Sequence, residues 1–285
     1  MDTLNSLKTA VLNRVQNNRA SGESNSSLGQ FVSQRADQVM GRSEFETGGL
    51  GAVSKPEAGQ LNNYDPKLRT KNSEPLTGTD KDGRLKDLQG FSQRDDDDKN
   101  TYNDTQRCGA TSLTAAAYHA DGGKGLNQLL DASEAYNANH GVAPDPADQK
   151  ELQALRERIN SGKMTKGDLS QVAERVHLTM GLADLTGSRA GAGVSQGGMN
   201  AFLNSPEAAK FKGTLDSNGT SIEPVDVQNK GQFNHWVARL GTGHGSPAIY
   251  DPESIKDPDG KLNQVTEDPA AVERYTKSSR QVRAH

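Results

Sequence analysis

The chain has 285 residues, a hydrophobic fraction of 32% and a formal net charge of −4. That share, which leaves out the 30 glycines, lies below the roughly 45–50% of ordinary globular chains counted with glycine, so one modest core joined to a long segment that buries little is expected. There is no large block of Lys and Arg, which argues against a dedicated nucleic-acid binder or a reader of anionic membranes. No apolar run approaches 18 residues and no cleavable signal pattern opens the chain, so neither a membrane span nor an ordinary cleaved export signal is expected. A single cysteine excludes an intrachain disulfide and a Cys-rich zinc site. No metal or cofactor is expected.

From the N-terminus, Leu4, Leu7, Val11, Leu12 and Val15 fall at helical spacing. This stretch reads as a short surface helix or as a signal that a secretion chaperone binds. Residues 19–100 are rich in Ser, Asn, Gly, Gln, Asp and Lys, with isolated apolar residues such as Phe31, Leu50 and Leu76. Such a composition buries too little surface to offset backbone entropy. Most of it is therefore expected to be disordered, with a helix near residues 28–40. The run Asp95-Asp96-Asp97-Asp98 reads as a solvated hinge. It divides the chain into a polar region, 1–98, and a folded domain, 99–285.

The second part is better patterned. Helices are predicted over residues 106–119, 126–136, 145–160 and 165–178, the last opening with Thr165 and Asp168 in a capping-box arrangement. Arg156 and Arg158 sit near the end of the third, where a helix dipole favours cations. Residues 187–198 read as a loop, followed by short helical patches at 199–203 and 206–211. Strands are predicted over 222–227, 233–240 and 248–250, and Asp257-Pro258-Asp259-Gly260 as a turn. Helices first and strands afterwards make the expected class α+β, not alternating βαβ units.

The chemistry converges on Cys108. It follows the turn-forming Asp104 and Thr105 at the expected start of a helix, where the dipole and the unpaired first-turn N–H groups favour a thiolate and an oxyanion. Gly109 would allow close approach of a substrate to the backbone. His119 lies about three turns along the same helix and cannot reach back to the thiol. His235 opens an apolar strand, and Asp251 ends the next one sixteen residues later, after the turn Gly241-Thr242-Gly243-His244-Gly245. Adjacent antiparallel strands bring residues at that separation side by side, so Asp251 can fix the tautomer of His235. A buried structural cysteine is the bland alternative. Trp236 reads as packing beside the site and as a candidate substrate-side residue.

Cys108-Gly109-Ala110-Thr111-Ser112-Leu113, Asn234-His235-Trp236-Val237 and Tyr250-Asp251-Pro252 together resemble the papain-like cysteine peptidase superfamily. The likeness is greatest to its bacteriocin-processing, C39-like branch and to bacterial effector proteases and deamidases of the same clan. It covers three short motifs within residues 101–252, in Cys, His, Asp order. The resemblance implies a helical subdomain with the cysteine at a helix N-terminus, packed on an antiparallel sheet carrying the histidine and the aspartate. It also implies a glutamine about six residues before the nucleophile as an oxyanion donor. Tyr102 stands there instead, which leaves Gln106 or Asn103 as the substitute.

The expected activity is that of a cysteine protease, a thiol amide hydrolase acting on a protein. A protein glutamine deamidase or transglutaminase-like enzyme on the same triad is the second reading, and a non-catalytic papain-like binding module the third. A polar N-terminal region ahead of a triad domain suits a bacterial effector secreted by a non-Sec route into the host cytosol, with residues 1–98 binding a secretion chaperone or forming a pro-segment. The alternative setting is the bacterial cytoplasm.

Overall fold

The computed structural model describes residues 73–92, 108–140, 146–186, 194–226, 235–256 and 262–284. The helices expected near 1–18 and 28–40, the four-Asp hinge and the turn at 257–260 lie outside these residues.

The order of elements is α1 (Lys81–Asp87), α2 (Cys108–Asn139), α3 (Pro146–Asn160), α4 (Lys166–Thr186), α5 (Val194–Leu203), α6 (Ala209–Ser217), then β1 (Ser221–Val225), β2 (His235–Leu240), β3 (Ala248–Lys256), β4 (Leu262–Thr266) and finally α7 (Pro269–Ala284). Apart from α7 the helices precede the strands, and the four strands form one antiparallel sheet in the order β1-β2-β3-β4. The class is α+β.

Helix α2 is the axis of the domain. Its first limb carries Ala115, Ala116 and Ala117, all fully buried, and small side chains let neighbouring elements approach closely. The two helices predicted over 106–119 and 126–136 are limbs of this one unit. Between them Asp121 (φ −148°, ψ 28°) and Gly122 (φ 55°, ψ −135°) leave helical geometry. A positive φ at Gly122 costs a glycine little. Just beyond the kink the backbone closes on itself, because a Cβ on Gly125 would stand 2.1 Å from the carbonyl oxygen of Ala117.

Helix α4 packs along α2, and its Leu169, Val172, Val176 and Met180 are buried in the main core. Its start is fixed by Asp168, whose carboxylate accepts from the Thr165 backbone N–H (2.9 Å) and hydroxyl (3.2 Å). Arg158 and Arg156 serve neighbouring helices. Arg158 Nε reaches Asp168 at 2.7 Å, and Arg156 Nη2 reaches Asp131 at 2.7 Å and Glu134 at 2.6 Å on α2. The glycine pair Gly197-Gly198, which reads as loop in sequence, lies inside α5. Burial of Met199 and Phe202 offsets the roughly 1 kcal/mol that each interior glycine costs.

The sheet separates two apolar layers. Trp236, Ala238, Leu240, Ala248 and Tyr250 belong to the main core with α2 and α4. Val225, Val237 and Ile249 form a second cluster with Tyr275 of α7. Strand alternation produces both faces. Three elements were not read from the sequence, α1, β4 and α7, and the last of these closes the outer face of the sheet.

The division drawn at residue 98 runs through the folded unit, because residues 73–92 are part of the domain. Leu76, Leu85, Leu88 and Phe91 are buried in the main core. Asp87 accepts from the backbone N–H groups of Thr77 (3.0 Å) and Gly78 (2.7 Å) and from the hydroxyl of Tyr118 on α2 (2.5 Å). Tyr250 donates to the Phe91 carbonyl at 2.8 Å, and Ser92 to the Pro252 carbonyl at 2.9 Å. Four apolar residues spread over 16 positions look isolated in sequence. They are buried by elements distant in sequence, so local apolar density did not reveal them.

Candidate active site

Cys108 is the first residue of α2. The limb it opens is tied to β2, where Ser112 donates to the Trp236 carbonyl at 3.1 Å. Gly109 is buried, and the side of its Cα that lacks a Cβ faces protein, not a cleft. A Cβ there would lie 2.8 Å from Met180 Cε, 3.1 Å from Met199 Cε and 3.2 Å from Trp236 Cδ1. The glycine therefore lets α2, α4, α5 and β2 meet beside the thiol; the expected use of its small size, substrate approach, is replaced by packing. Trp236 is only 2% exposed and belongs to the core against which α2 rests.

His235 opens β2 and Asp251 lies on β3, antiparallel neighbours in the register Ala238↔Tyr250. His235 Nε2 is 2.8 Å from Asp251 Oδ1, and both side chains are almost fully buried. With Nε2–H given to the carboxylate, Nδ1 is the ring nitrogen left for the thiol, and Cys108 lies near enough to this ring to help hold its proton. The three residues that the sequence singles out are thus in one contiguous arrangement.

Burial alone would drive the His235 ring neutral. The Asp251 carboxylate, by charge and hydrogen bond, and then Cys108 outweigh it, so the ring is held protonated well above the ordinary histidine range. Burial likewise pushes the Asp251 carboxyl up. The charge and hydrogen bond of His235, the Tyr275 hydroxyl and the Glu253 backbone N–H more than reverse that and keep it below its ordinary value.

Tyr275 is the residue that sequence reasoning missed. Its hydroxyl donates to Asp251 Oδ2 at 2.6 Å, while the Glu253 N–H donates to Oδ1 at 2.9 Å. Both carboxylate oxygens are therefore engaged. Burial and the facing carboxylate raise the Tyr275 phenol far above its usual range, so it stays a donor. The spacing Val272, Tyr275, Ser279, Val282 is a legible helical stripe, but nothing local says that one of its members meets Asp251.

The other described histidines lie elsewhere. His119 is fully buried in α2 with neither ring nitrogen hydrogen-bonded. His140 stacks on Tyr136 with ring centroids 4.1 Å apart, and His244 pairs with Asp82 at 3.2 Å. Asn103 and Gln106, the candidate oxyanion donors, lie outside the described residues, as do residues 187–193 of the expected loop. Among the described residues no group of three or more His, Cys, Asp or Glu is placed to hold a metal ion, and no helix is long and apolar enough to cross a membrane. Compared with protein-family models, with curated proteins and with solved structures, the chain matches none.

Proposed function

We propose that the chain is a thiol amide hydrolase of papain-like arrangement that cleaves peptide bonds in a protein substrate. The observation that carries this is the buried relay Cys108, His235, Asp251 placed at the start of a helix. A histidine whose raised proton affinity is sustained by a buried carboxylate keeps a neighbouring thiol as thiolate, which is the nucleophilic form. Sγ attacks the carbonyl carbon, and the first-turn N–H groups of α2 are the donors available to the oxyanion. His235 then gives its Nδ1 proton to the leaving nitrogen, the C–N bond breaks, and a thioester remains. Water attacks the thioester, His235 takes its proton, and the thiolate leaves. Asp251 stays ionised throughout and holds the ring in one tautomer, with Tyr275 and the Glu253 N–H holding Asp251.

A glutamine side-chain amide places the same demands on these groups, so the product amine distinguishes the two substrates. The test is in two steps. Alkylation of the only cysteine is followed against pH in the parent and in His235→Ala; the parent should be alkylated appreciably at neutral pH and below, and the variant should lose that reactivity. A denatured protein mixture is then assayed for new N-termini and for free ammonia. New N-termini that vanish in Cys108→Ala support the peptidase. Ammonia without new N-termini replaces it with a deamidase, and a thiol that titrates alike in both proteins overturns the catalytic reading.

A further inference from the structure

Behind the sheet, between α7 and the face that carries His235 and Asp251, lies a cleft of about 160 Å³. Its floor is Glu223 of β1 and Arg239 of β2, and its wall is Tyr275, Ser279, Arg280 and Arg283 of α7. Arg239 shares its face with Val237 by strand alternation, and Val237 packs on Tyr275 in the outer apolar cluster. The cleft is thus continuous with the layer that supports the relay.

Its charges do not cancel. Glu223 is already satisfied: Ser221 donates to Oε1 at 2.6 Å, and Ser279 and Arg283 donate to Oε2 at 2.6 Å each. Arg283 is therefore neutralised. Arg239 and Arg280 form no ion pair among the described residues. Two guanidiniums without counter-charge among the described residues, in one narrow cleft, favour a doubly charged oxyanion, since planar N–H forks match phosphate oxygens bidentately. A phosphate monoester carries about −1.5 to −2 near neutral pH, which matches the two free cations. The volume falls below the roughly 300–1,000 Å³ of pockets that hold drug-sized ligands, so the ligand is a small soluble molecule and not a folded partner.

We propose that this cleft is a binding site for a small phosphate monoester, held by Arg239 and Arg280. Tyr275 forms one wall of the cleft and also donates to Asp251, so a ligand that fastens α7 to the sheet holds Tyr275 on Asp251. This second consequence rests on the catalytic reading above; the binding site itself does not.

The test uses the full chain and glycerol 3-phosphate, with sodium chloride at matched ionic strength as reference. In the parent, the phosphate ester should raise Tm saturably, on the order of 2–6 °C at saturation. The rise should vanish in Arg239→Gln/Arg280→Gln and persist in Lys210→Gln, a surface change on α6. Equal rises in chloride, or a rise retained by the double variant, would overturn the site. To separate binding from any change in stability of the double variant, phosphorus NMR line broadening of the ester is read on both proteins; broadening by the parent alone supports the site, and broadening by both or neither rejects it. Coupling is read as Cys108 alkylation near pH 6, which should rise about two- to threefold with ester in the parent and stay unchanged in Tyr275→Phe. A Tm rise without that change rejects the coupling and leaves the site. A thiol that titrates normally without ligand rejects the catalytic reading and leaves the Tm result standing.

Discussion

The hydroxyl of Tyr275 donates to Asp251 Oδ2 at 2.6 Å, across 24 residues of sequence and between the last helix and the third strand. The Asp251 carboxylate is thereby held from α7 on one oxygen and by His235 and the Glu253 N–H on the other. Tyr275→Phe removes one charge-assisted hydrogen bond and leaves a lone pair of a buried carboxylate unmet, at a cost of about 1–3 kcal/mol. The Asp251 pKa should rise and its support of the imidazolium weaken. Cys108 alkylation near pH 6 should fall severalfold while alkylation above pH 9 is unchanged. An unaltered profile would show that α7 is only a cover for the sheet.

Breaking the His235–Asp251 pair from one side strands a buried charge. Asp251→Ala should cost on the order of 3 kcal/mol, and His235→Ala a comparable amount. The double variant should be more stable than the sum of the two losses implies, because neither charge then remains unmatched. Urea unfolding of the four proteins supplies the cycle. Simple additivity would mean that the two side chains do not share a charge.

His119 gives the fold an acid-sensitive point. Burial, helped by the Arg84 and Lys81 charges, pushes its pKa down to about 4. The unfolded chain takes up a proton below about pH 6.5, and the native ring refuses it until about pH 4. Stability is therefore lost as pH falls through that window, by roughly 3 kcal/mol at 1.36 kcal/mol per pH unit. His119→Leu should flatten the dependence of the urea midpoint on pH between 6.5 and 4. An unchanged slope would place the acid sensitivity elsewhere.

Two glycines of α2 should respond differently to alanine. At Gly109 the nearest neighbours of a new Cβ are the mobile ends of Met180 and Met199, which can move aside at a cost of about 1 kcal/mol. At Gly125 the obstacle is the Ala117 carbonyl oxygen at 2.1 Å, and backbone cannot yield in that way. Gly125→Ala should lower Tm by many degrees and Gly109→Ala by a few. Similar values at both positions would contradict the packing described.

Truncation locates the start of the domain. A chain beginning at residue 73 should keep the cooperative unfolding and the Cys108 pH profile of the whole protein. One beginning at residue 99 loses Leu76, Leu85, Leu88 and Phe91 from the core and the carboxylate of Asp87 beneath Tyr118. It should be recovered unfolded or not at all. A folded, reactive 99–285 fragment would return the boundary to the four-Asp run.

The sequence by itself determined the class of fold and which cysteine, histidine and aspartate to compare. These are local signals: turn formers before Cys108, period-two strands, helical stripes, and a strand–turn–strand spacing that sets His235 beside Asp251. Tertiary structure alone decided three other matters. It made Gly109 a packing residue, because only the meeting of Met180, Met199 and Trp236 fills the space beyond its Cα. It drew residues 73–92 into the core, because isolated apolar side chains gain burial only from gaps that distant elements create. It brought Tyr275 to Asp251, because hydrogen-bond partners from separate elements are chosen by how those elements pack, and no periodicity within either one records the choice.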